Sequence, residues 1–501
     1  MFLLMLFLLG FVVSAVAIRY AIIAAHKLGV VDKPGGHKAH DTVTPFVGGV
    51  GVITATLCGL AVVSQFYEQF GERLYAFLFG AVALFATGFA DDILNLNFKI
   101  RFFVQAAVGL IMVFWGGVVI SDLGYLFSDD VLELGFVAVP LTLLATIGAI
   151  NALNMIDGID GLSGSLSIVS LLLIALAVYL AGDMAYFSML LILAGGVAGF
   201  LYFNLRFFRQ RRARCFLGDN GSMLLGFVFA WLLSDLSQMT DGSPRAITPI
   251  TTLWLFAVPL IDTLCVMLRR MWLGRSPFHA DRNHLHHLFL RAGFRVQDTV
   301  LVLAFVQACF GGAGLLGMYA GVGEGSMLIA FLCVFALCFY VLLRPWRLVP
   351  LLRRIQRVLG FTSVHAVGVH VSGLSPDSLG EISALLNSTI SPYSDFRFRV
   401  YAPQPPAADG KYFGVIRLLC DDQDQTQVQI SRIIAALRRE LRSVPGVRIR
   451  QFVERQASHE RRVGRKAAGA ERRFSERRST GKGTLIYSVD SAAGESSVLA
   501  R

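Results

Sequence analysis

The sequence predicts an all-α polytopic membrane protein with about eleven transmembrane helices, a small cytoplasmic α+β domain of the ferredoxin-like type and a disordered tail. Three observations predict the membrane part: 55% of the 501 residues are hydrophobic, only 16% are charged, and many apolar stretches are long enough to cross a bilayer. After residue 362 the pattern changes to short alternating strands and helices. We therefore divide the chain into a membrane domain (1–345), a basic juxtamembrane linker (346–362), an α+β domain (363–453) and a basic tail (454–501).

Eleven apolar stretches have about the 20 residues that a transmembrane helix needs. They cover residues 2–20, 44–66, 74–91, 102–120, 135–153, 164–181, 185–205, 216–234, 247–268, 298–320 and 326–343. With the N-terminus outside, nearly all Lys and Arg residues of the inter-span loops fall on one side, and only Arg73 and Arg245 fall on the other. The positive-inside rule makes the first side cytoplasmic. We therefore expect a multi-pass membrane protein.

Charge and cysteine usage exclude two other classes of protein. The net charge of +11 comes from short inter-span loops and the C-terminal tail, where membrane topology accounts for it, so nucleic acid is not expected as a partner. The seven cysteines show no CxxC or metal-ligand spacing, and most lie inside apolar runs. Neither a disulfide framework nor a zinc site is indicated.

Three acidic clusters follow or precede predicted spans, and the topology places all of them at the cytoplasmic face. They are Asp91-Asp92, Asp157 with Asp160, and Asp219. Because carboxylates are unfavourable near hydrocarbon, each cluster is a candidate functional site, although any one of them alone is equally consistent with a solvated loop. Together with Asn154 they offer the oxygen ligands that Mg²⁺ prefers when it is shared with substrate phosphates.

Glycines and histidines near these clusters suit an anionic ligand. The segments NMIDGIDGLSGS and LGDNGS place glycines at helix N-termini, which attract phosphate, although a single Asp-Gly pair is a common turn signal. In the loop from Gly274 to Phe294, His284, His286 and His287 do not share one helical face, so a zinc site is disfavoured. Beside Arg275 and Arg282, they are better interpreted as donors to a sugar diphosphate.

Five segments in order resemble the polyprenyl-phosphate N-acetylhexosamine-1-phosphate transferases (glycosyltransferase family 4). They are DKPGGHKAHDTVTPFVGG, FADDILNLNFKIR, NALNMIDGIDGLSG, FLGDNGS and SPFHADRNHLHHLFLRAGF, and the resemblance covers residues 1 to 345. The DRNHLHH form is similar to the branch that initiates O-antigen, enterobacterial common antigen and teichoic acid synthesis. The resemblance implies Mg²⁺-dependent transfer of a sugar-1-phosphate from a UDP-N-acetylhexosamine to undecaprenyl phosphate, with Mn²⁺ as a possible substitute and UMP as the product.

The resemblance also implies roles for individual residues. It gives Asp91 and Asp92 the role of the essential aspartate pair and makes Asp219 and Asn154 the magnesium ligands. The catalytic set that it implies is Asp91, Asp92, Asp219, His284, His286 and His287. The substrate-binding set is Lys38, Asn95, Lys99, Arg101, Asp157, Asp160 and Arg282. Family members commonly carry Arg where this chain has His37, although Lys38 follows it. The loop around Lys38 is equally interpretable as an ordinary positive-inside loop.

A physical argument favours a one-step displacement over proton abstraction. The second pKa of the acceptor phosphate monoester is about 6, so the attacking oxygen is mostly ionised at neutral pH and needs no general base. The larger barrier is repulsion between that anion and the donor diphosphate, which Mg²⁺ and basic side chains reduce. We therefore expect Asp91 and Asp92 to position metal or acceptor. A covalent intermediate remains the alternative.

The C-terminal segment lies outside the resemblance. Its order βαββαβ over residues 363–453 predicts a ferredoxin-like domain that serves regulation, homodimerisation or docking of polysaccharide-assembly partners. The preceding arginines suit a cytoplasmic membrane boundary. Two other classes of protein were weighed: a transporter should show repeats and broken helices, and a scaffold would not need five phosphate-suited motifs. The hexosamine itself is left open, with UDP-N-acetylglucosamine as the first choice.

Overall fold

The computed structural model describes residues 2–29, 44–67, 71–127, 130–206, 210, 212–238, 245–277, 283–358, 364–374, 395–402, 412–421, 448–453, 484–490 and 495–498. Two predicted substrate-binding residues, Lys38 and Arg282, lie outside these ranges. The chain divides into two units, one made of residues 1–33, 44–291 and 296–349, and the other of residues 34–43, 292–295 and 350–501.

The first unit is helical throughout. Its described helices are α1 (Phe2–Leu28), α2 (Gly48–Val63), α3 (Gly71–Leu94), α4 (Phe98–Phe114), α5 (Ala138–Ile156), α6 (Leu162–Leu180), α7 (Met184–Asn204), α8 (Gly218–Leu236), α9 (Pro249–Leu255), α10 (Ala257–Trp272), α11 (Leu285–Ala292), α12 (Val296–Tyr319) and α13 (Glu324–Leu343), and α14 (Pro345–Val358) continues into the second unit. This confirms an all-helical, polytopic membrane protein.

Seven of the described helices are long and apolar enough to cross a membrane, or eight if the bent pair α9 and α10 forms one span. Every one of the eleven predicted stretches coincides with a helix or with that pair. The difference in number comes from α2, α4 and α8. Helix α2 has 16 residues and α4 has 17, and α8 carries Asp219 and Asp235. An apolar stretch in the sequence is therefore not always a helix of full spanning length and composition.

The break between α9 and α10 is stabilised by one buried glutamine. The two helices meet at Phe256 with a bend of 83°. Gln307 of α12 accepts a hydrogen bond from the Val258 N–H at 2.9 Å and donates one to the Leu255 carbonyl at 2.8 Å. Backbone groups freed at membrane depth must find partners within the protein, and Gln307 supplies both kinds. The bend directs α10 towards the loop that carries the histidines.

Helix α8 is the buried centre of the first unit, and nearly all of its residues are inaccessible to solvent. It packs against α3 and α5. Glycines allow the close approach: a Cβ on Gly226 would lie 2.4 Å from the Cα of Ile150, and one on Gly88 would lie 2.4 Å from the Asp219 carbonyl oxygen. Small residues at helix contacts are typical of membrane bundles.

The second unit contains a six-stranded antiparallel sheet in the order β4-β1-β3-β2-β5-β6. The strands are β1 (Val364–Leu374), β2 (Asp395–Ala402), β3 (Tyr412–Asp421), β4 (Arg448–Val453), β5 (Thr484–Asp490) and β6 (Glu495–Val498). The first four coincide with the predicted strands. The two predicted helices of this domain lie outside the described residues, so the ferredoxin-like fold stays a prediction.

Two stretches of the C-terminal part differ from what the sequence predicted. Strands β5 and β6 lie within the tail for which the sequence predicted disorder. The segment TLIYSVD forms β5 because its apolar residues alternate as in a strand, despite its polar flanks. The predicted linker instead contains α14, which ends at Val358. A basic stretch forms a helix there because its apolar residues recur at helical spacing.

Candidate active site

Asp92 caps the N-terminus of the central helix α8. Its two carboxylate oxygens accept hydrogen bonds from the backbone N–H groups of Asp219 at 2.9 Å and Asn220 at 3.2 Å, and the Asn220 side chain donates a third at 2.5 Å. The absence of a side chain at Gly88 brings α3 close enough for these bonds. Helix N-termini leave N–H groups unpaired, and a carboxylate there is stabilising. Both oxygens of Asp92 are therefore committed to positioning α8.

Asp91 is held by the turn that follows its own helix. Its side chain is buried, one oxygen accepts from the Leu96 N–H at 2.6 Å, and the other accepts from Arg101 Nη1 at 2.6 Å. Asn95 adopts a left-handed conformation with φ of 50°, which Asn tolerates better than most residues, and this turns the chain so that Leu96 reaches Asp91. Asp91 thus fixes the position of Arg101 in the site.

Asp219 is one of the partly exposed carboxylates of this group. It lies in the first turn of α8, and 32% of its side chain is exposed, compared with 6% for Asp91. Its oxygens accept hydrogen bonds from Asn154 Nδ2 at 2.5 Å and from Arg101 Nη1 at 3.4 Å, and Asn154 also donates to the Ser222 hydroxyl at 3.0 Å. Helices α4, α5 and α8 therefore each place a polar group around one accessible carboxylate.

Asp157 caps the C-terminal end of α5 beside the same group. Burial, followed by the negative charge of nearby carboxylates of which Asp219 has the largest effect, raises the pKa of Asp157 well above its ordinary value. The cluster formed by Asp91, Asp92, Asp157 and Asp219 contains one described guanidinium, that of Arg101. The local excess of negative charge is what a bound cation would neutralise.

Asp160 has a different environment from the one its motif suggested. It is buried and accepts hydrogen bonds from Arg206 Nε at 2.7 Å and from the Ala213 N–H at 3.3 Å. Asn204 supports the same loop by accepting from the Gly161 N–H at 2.6 Å. These bonds tie the Asp157–Asp160 loop to the end of α7. Asp160 therefore holds the loop, and its role in substrate binding stays a prediction.

The histidine loop lies against the Asp157–Asp160 loop. A Cβ on Gly158 would lie 2.3 Å from His286 Nε2, so glycine at this position makes room for the ring. His286 is 1% exposed, and neither of its ring nitrogens has a hydrogen-bond partner among the described residues. Burial, followed by the charge of His287, lowers the pKa of His286 to about 3. His286 is therefore a neutral ring at physiological pH, with nitrogens left for a ligand.

Asp262 of α10 anchors the same loop. It is 0% exposed, and its two oxygens accept from His284 Nδ1 and from the Leu285 N–H, both at 2.8 Å. The rings of His284 and His286 are stacked with centroids 5.7 Å apart, and His287 lies 4.2 Å from His286. Sequence reasoning missed Asp262, although a carboxylate inside the predicted span 247–268 is a functional candidate by default.

Two of the predicted substrate-binding residues do not join the cluster through their side chains. Asn95 and Lys99 are exposed, and within the described residues their hydrogen bonds are backbone bonds of the α3–α4 turn. Sequence reasoning also missed Asn220 and Ser222, which bond to Asp92 and Asn154. Their position in FLGDNGS beside Asp219 was the available signal.

The oxygen atoms available at this site suit a cation that binds both the protein and a substrate phosphate. In the described part of the chain, no group of three or more His, Cys, Asp or Glu side chains forms a metal-binding arrangement. Asp219 and Asn154 are neighbouring oxygen-bearing side chains at the exposed edge of the cluster. Two protein ligands fit Mg²⁺, which keeps waters and binds substrate phosphates, better than they fit Zn²⁺ or Ca²⁺.

Comparisons with known proteins agree with this geometry. A family model described as Glycosyl transferase family 4 matches residues 74–237. An undecaprenyl-phosphate alpha-N-acetylglucosaminyl 1-phosphate transferase of Escherichia coli O157:H7 is 36% identical over 350 residues, which are 70% of this chain and 93% of the relative. Proteins of the same name from Haemophilus influenzae and Yersinia pestis are each 36% identical to this chain. Each alignment covers 66% of this chain, together with 92% of the Haemophilus protein and 89% of the Yersinia protein. The chain therefore belongs to glycosyl transferase family 4 and is an enzyme of that family.

Proposed function

We propose that the protein transfers N-acetylglucosamine-1-phosphate from UDP-N-acetylglucosamine to undecaprenyl phosphate and releases UMP. The observation that supports this most is the convergence of four separate motifs on one end of the helical bundle. Asp91, Asp219, Asp157 and His286 come from different elements and lie around one partly open site. The names of the relatives supply the substrates, and the site supplies groups suited to a diphosphate.

Asp219 and Asn154 are the residues that would hold Mg²⁺. The fit is supported by the excess of carboxylates around Asp219 and by the exposed fraction of its side chain. When bound, the cation would reduce the charge on the phosphates and hold them in place. Arg101, bonded to both Asp91 and Asp219, is positioned to help with the same charge.

The geometry favours a direct displacement. An oxygen of the lipid phosphate attacks the phosphorus attached to the sugar, the bond from that phosphorus to the bridging oxygen breaks, and UMP leaves with that oxygen. The attacking oxygen is largely ionised at neutral pH. Asp92 is a poor general base because both of its oxygens accept bonds from α8, and Asp91 is bonded to Arg101. These carboxylates therefore position the site in our proposal.

The proposal includes a topology of eleven spans with the site at the cytoplasmic face. The lipid acceptor is confined to the bilayer and the nucleotide sugar is cytosolic, so their reaction requires an interface between the two. The positive-inside pattern assigns the ends of α3 and α5 and the start of α8 to the cytoplasm of a bacterial inner membrane. The product would begin a cell-surface polysaccharide, and the C-terminal domain would serve dimerisation or docking.

Purified protein, undecaprenyl phosphate, Mg²⁺ and a panel of UDP-sugars test this proposal. We expect mass spectrometry of the lipid fraction to show undecaprenyl diphosphate-N-acetylglucosamine in stoichiometric amounts with UMP. Product formed only from another UDP-hexosamine would correct the sugar. Full activity after Mg²⁺ and Mn²⁺ are removed with a chelator, or no lipid product with any UDP-sugar, would contradict the proposal.

A further inference from the structure

Helix α14 presents an apolar row beside a basic one. Leu351, Ile355 and Val358 recur at the i, i+4, i+7 spacing of one helical face and are 53%, 38% and 79% exposed. The helix and the residue before it contain five arginines, Arg344, Arg347, Arg353, Arg354 and Arg357, and residues 344–358 contain no acidic residue. Exposed large apolar side chains in this number mark an interaction surface.

The rotation of the helix about its axis is fixed by the face next to the apolar row. Leu352 and Gln356 are 5% and 2% exposed, and Gln356 Nε2 donates to the Gly293 carbonyl at 2.9 Å. Because that face is packed, the row of Leu351, Ile355 and Val358 is directed outwards by the fold. Only Arg344 separates α14 from α13, which is a candidate membrane span. Leu351 therefore follows the end of α13 by eight residues along the chain.

We propose that α14 is an interfacial helix that inserts Leu351, Ile355 and Val358 into the bilayer surface, with the exposed Arg344 and Arg354 binding anionic lipid headgroups. A lipid surface is favoured over a protein partner because a bilayer offers both an apolar layer and anionic groups. The apolar row replaces water by acyl chain, and the long side chains of Arg344 and Arg354 can extend to the headgroups. Basic residues near a membrane surface are attracted by its negative potential. A second copy and a protein partner are the competing occupants.

The test places an environment-sensitive fluorescent amino acid at position 355 of the full-length protein in lipid nanodiscs, with position 353 as the matched control. We expect brominated phospholipids to quench the probe at 355 several-fold more than the probe at 353, and more strongly with about one third anionic lipid than with zwitterionic lipid alone. Equal quenching at positions 355 and 353, or quenching at 355 that is the same with anionic and zwitterionic lipid, would overturn the proposal. Protection at 355 that depends on protein concentration would instead assign the row to a second copy.

We infer separately that Asp262 is a positioning residue for the reaction, and this inference rests on the proposed function. Asp262 is fully buried on α10 and accepts from both His284 Nδ1 and the Leu285 N–H. The first bond places a proton on Nδ1 and fixes the plane of the His284 ring, so that Nε2 is the nitrogen left for a ligand. The second bond holds the start of α11.

The side chain of His284 is linked to the rest of the site through His286. His284 stacks on His286, and His286 lies against Gly158, next to Asp157. Helix α10 is aimed at this loop by the bend that Gln307 stabilises. A change at Asp262 should therefore alter how the nucleotide sugar is held without altering the lipid acceptor.

Two variants separate positioning from general stability. Asp262→Asn keeps an oxygen for the Leu285 N–H but turns an amide N–H₂ towards His284 Nδ1, whereas Asp262→Ala removes both acceptors. We expect Asp262→Asn to melt within a few degrees of the wild type and yet to raise the KM for the UDP-sugar about tenfold, with the KM for undecaprenyl phosphate unchanged. Wild-type kinetics in Asp262→Asn, or equal effects on both KM values, would overturn the inference. An inactive wild type would instead contradict the proposed function.

Discussion

The two ends of helix α8 both place carboxylates in an apolar bundle, but they differ in how those carboxylates are paired with arginines. Asp219 and Asp235 are separated by about 24 Å along the helix. At the Asp235 end, Asp235 pairs with Arg73 at 3.4 Å and accepts a bond from the Tyr186 hydroxyl, and Asp122 pairs with Arg245 at 2.7 Å. At the Asp219 end, Arg101 faces a cluster of four carboxylates.

This difference separates a structural cluster from a functional one. A buried carboxylate with its own arginine and hydrogen-bond donor is satisfied within the protein, and removing one partner leaves the other unpaired. A cluster of four carboxylates that share one described arginine, with Asp219 partly exposed, is completed by something outside the chain. The side chain of Asp235 is 7% exposed and that of Asp219 is 32% exposed, so pairing and access together, and not burial alone, separate the two clusters.

The largest expected effect is at the exposed carboxylate. Asp219→Asn should lower kcat at least about 100-fold, because it removes a charge that would hold the cation and the phosphates, while the melting temperature changes little. Activity with the UDP-sugar and thermal unfolding in the same detergent measure the two effects. Asp235→Asn is the matched control on the same helix. Comparable losses of kcat in both variants would remove the distinction between the two ends.

Asp92 tests whether an essential aspartate acts through position. Asp92→Ala leaves the α8 N-terminus without its cap and should lower the free energy of unfolding by about 1 kcal/mol, together with a large loss of activity. Asp92→Asn keeps an oxygen for one of the two N–H groups and should recover part of both. The pH–rate profile of Asp92→Asn should match that of the wild type. Recovery of its activity only at alkaline pH would indicate a general base instead.

Substitutions at the Asp235 end of α8 should change the stability of the protein and leave its activity unchanged. Tyr186→Phe and Asp235→Asn each remove one partner of a buried pair, so we expect the free energy of unfolding to fall by about 1–3 kcal/mol. The values of kcat and KM should stay within about twofold, since the pair lies about 24 Å from the site. Thermal unfolding and steady-state kinetics on the same samples check this. A selective loss of kcat would show that the Asp235 end contributes to the reaction.

A smaller effect is expected where the histidine loop meets the Asp157–Asp160 loop. Gly158→Ala places a methyl group against His286 and should raise the KM for the UDP-sugar several-fold, because the ring must move by a few tenths of an ångström or more. If the clash with His286 is the cause, the double variant with His286→Ala should be less impaired than the sum of the single effects predicts. Additive effects of the two substitutions on KM would show that the clash with His286 is not the cause of the increase.

Much of the fold could be predicted from local sequence, and less of the site. The apolar stretches located every described helix of the bundle except the short α11, because hydrophobicity over about 20 residues is a local property. They predicted eleven spans, whereas seven or eight described candidates are long and apolar enough to cross a membrane, because α2 and α4 have 16 and 17 residues and α8 carries Asp219 and Asp235. The five motifs named Asp91, Asp92, Asp219 and Asn154 as neighbours, and the hydrogen bonds of the structure bring them together.

What the sequence could not provide was the partner of each group. Asp160 and Asp219 have the same type of side chain in similar motifs, yet Arg206 and the Ala213 N–H occupy the first, and the second remains partly exposed. Asp262 and His284 are 22 residues apart, yet His284 Nδ1 and an Asp262 carboxylate oxygen are hydrogen-bonded at 2.8 Å. Such contacts depend on how distant segments pack, which no local pattern encodes.

The sequence by itself determined that this is a membrane enzyme, because composition and span length set its solvent and five ordered motifs set its family. Only the tertiary structure decided which carboxylates are satisfied and which one is available. The physical reason is that a side chain's chemistry is fixed by its type, whereas its charge, orientation and access to a ligand are fixed by the neighbours that folding places around it.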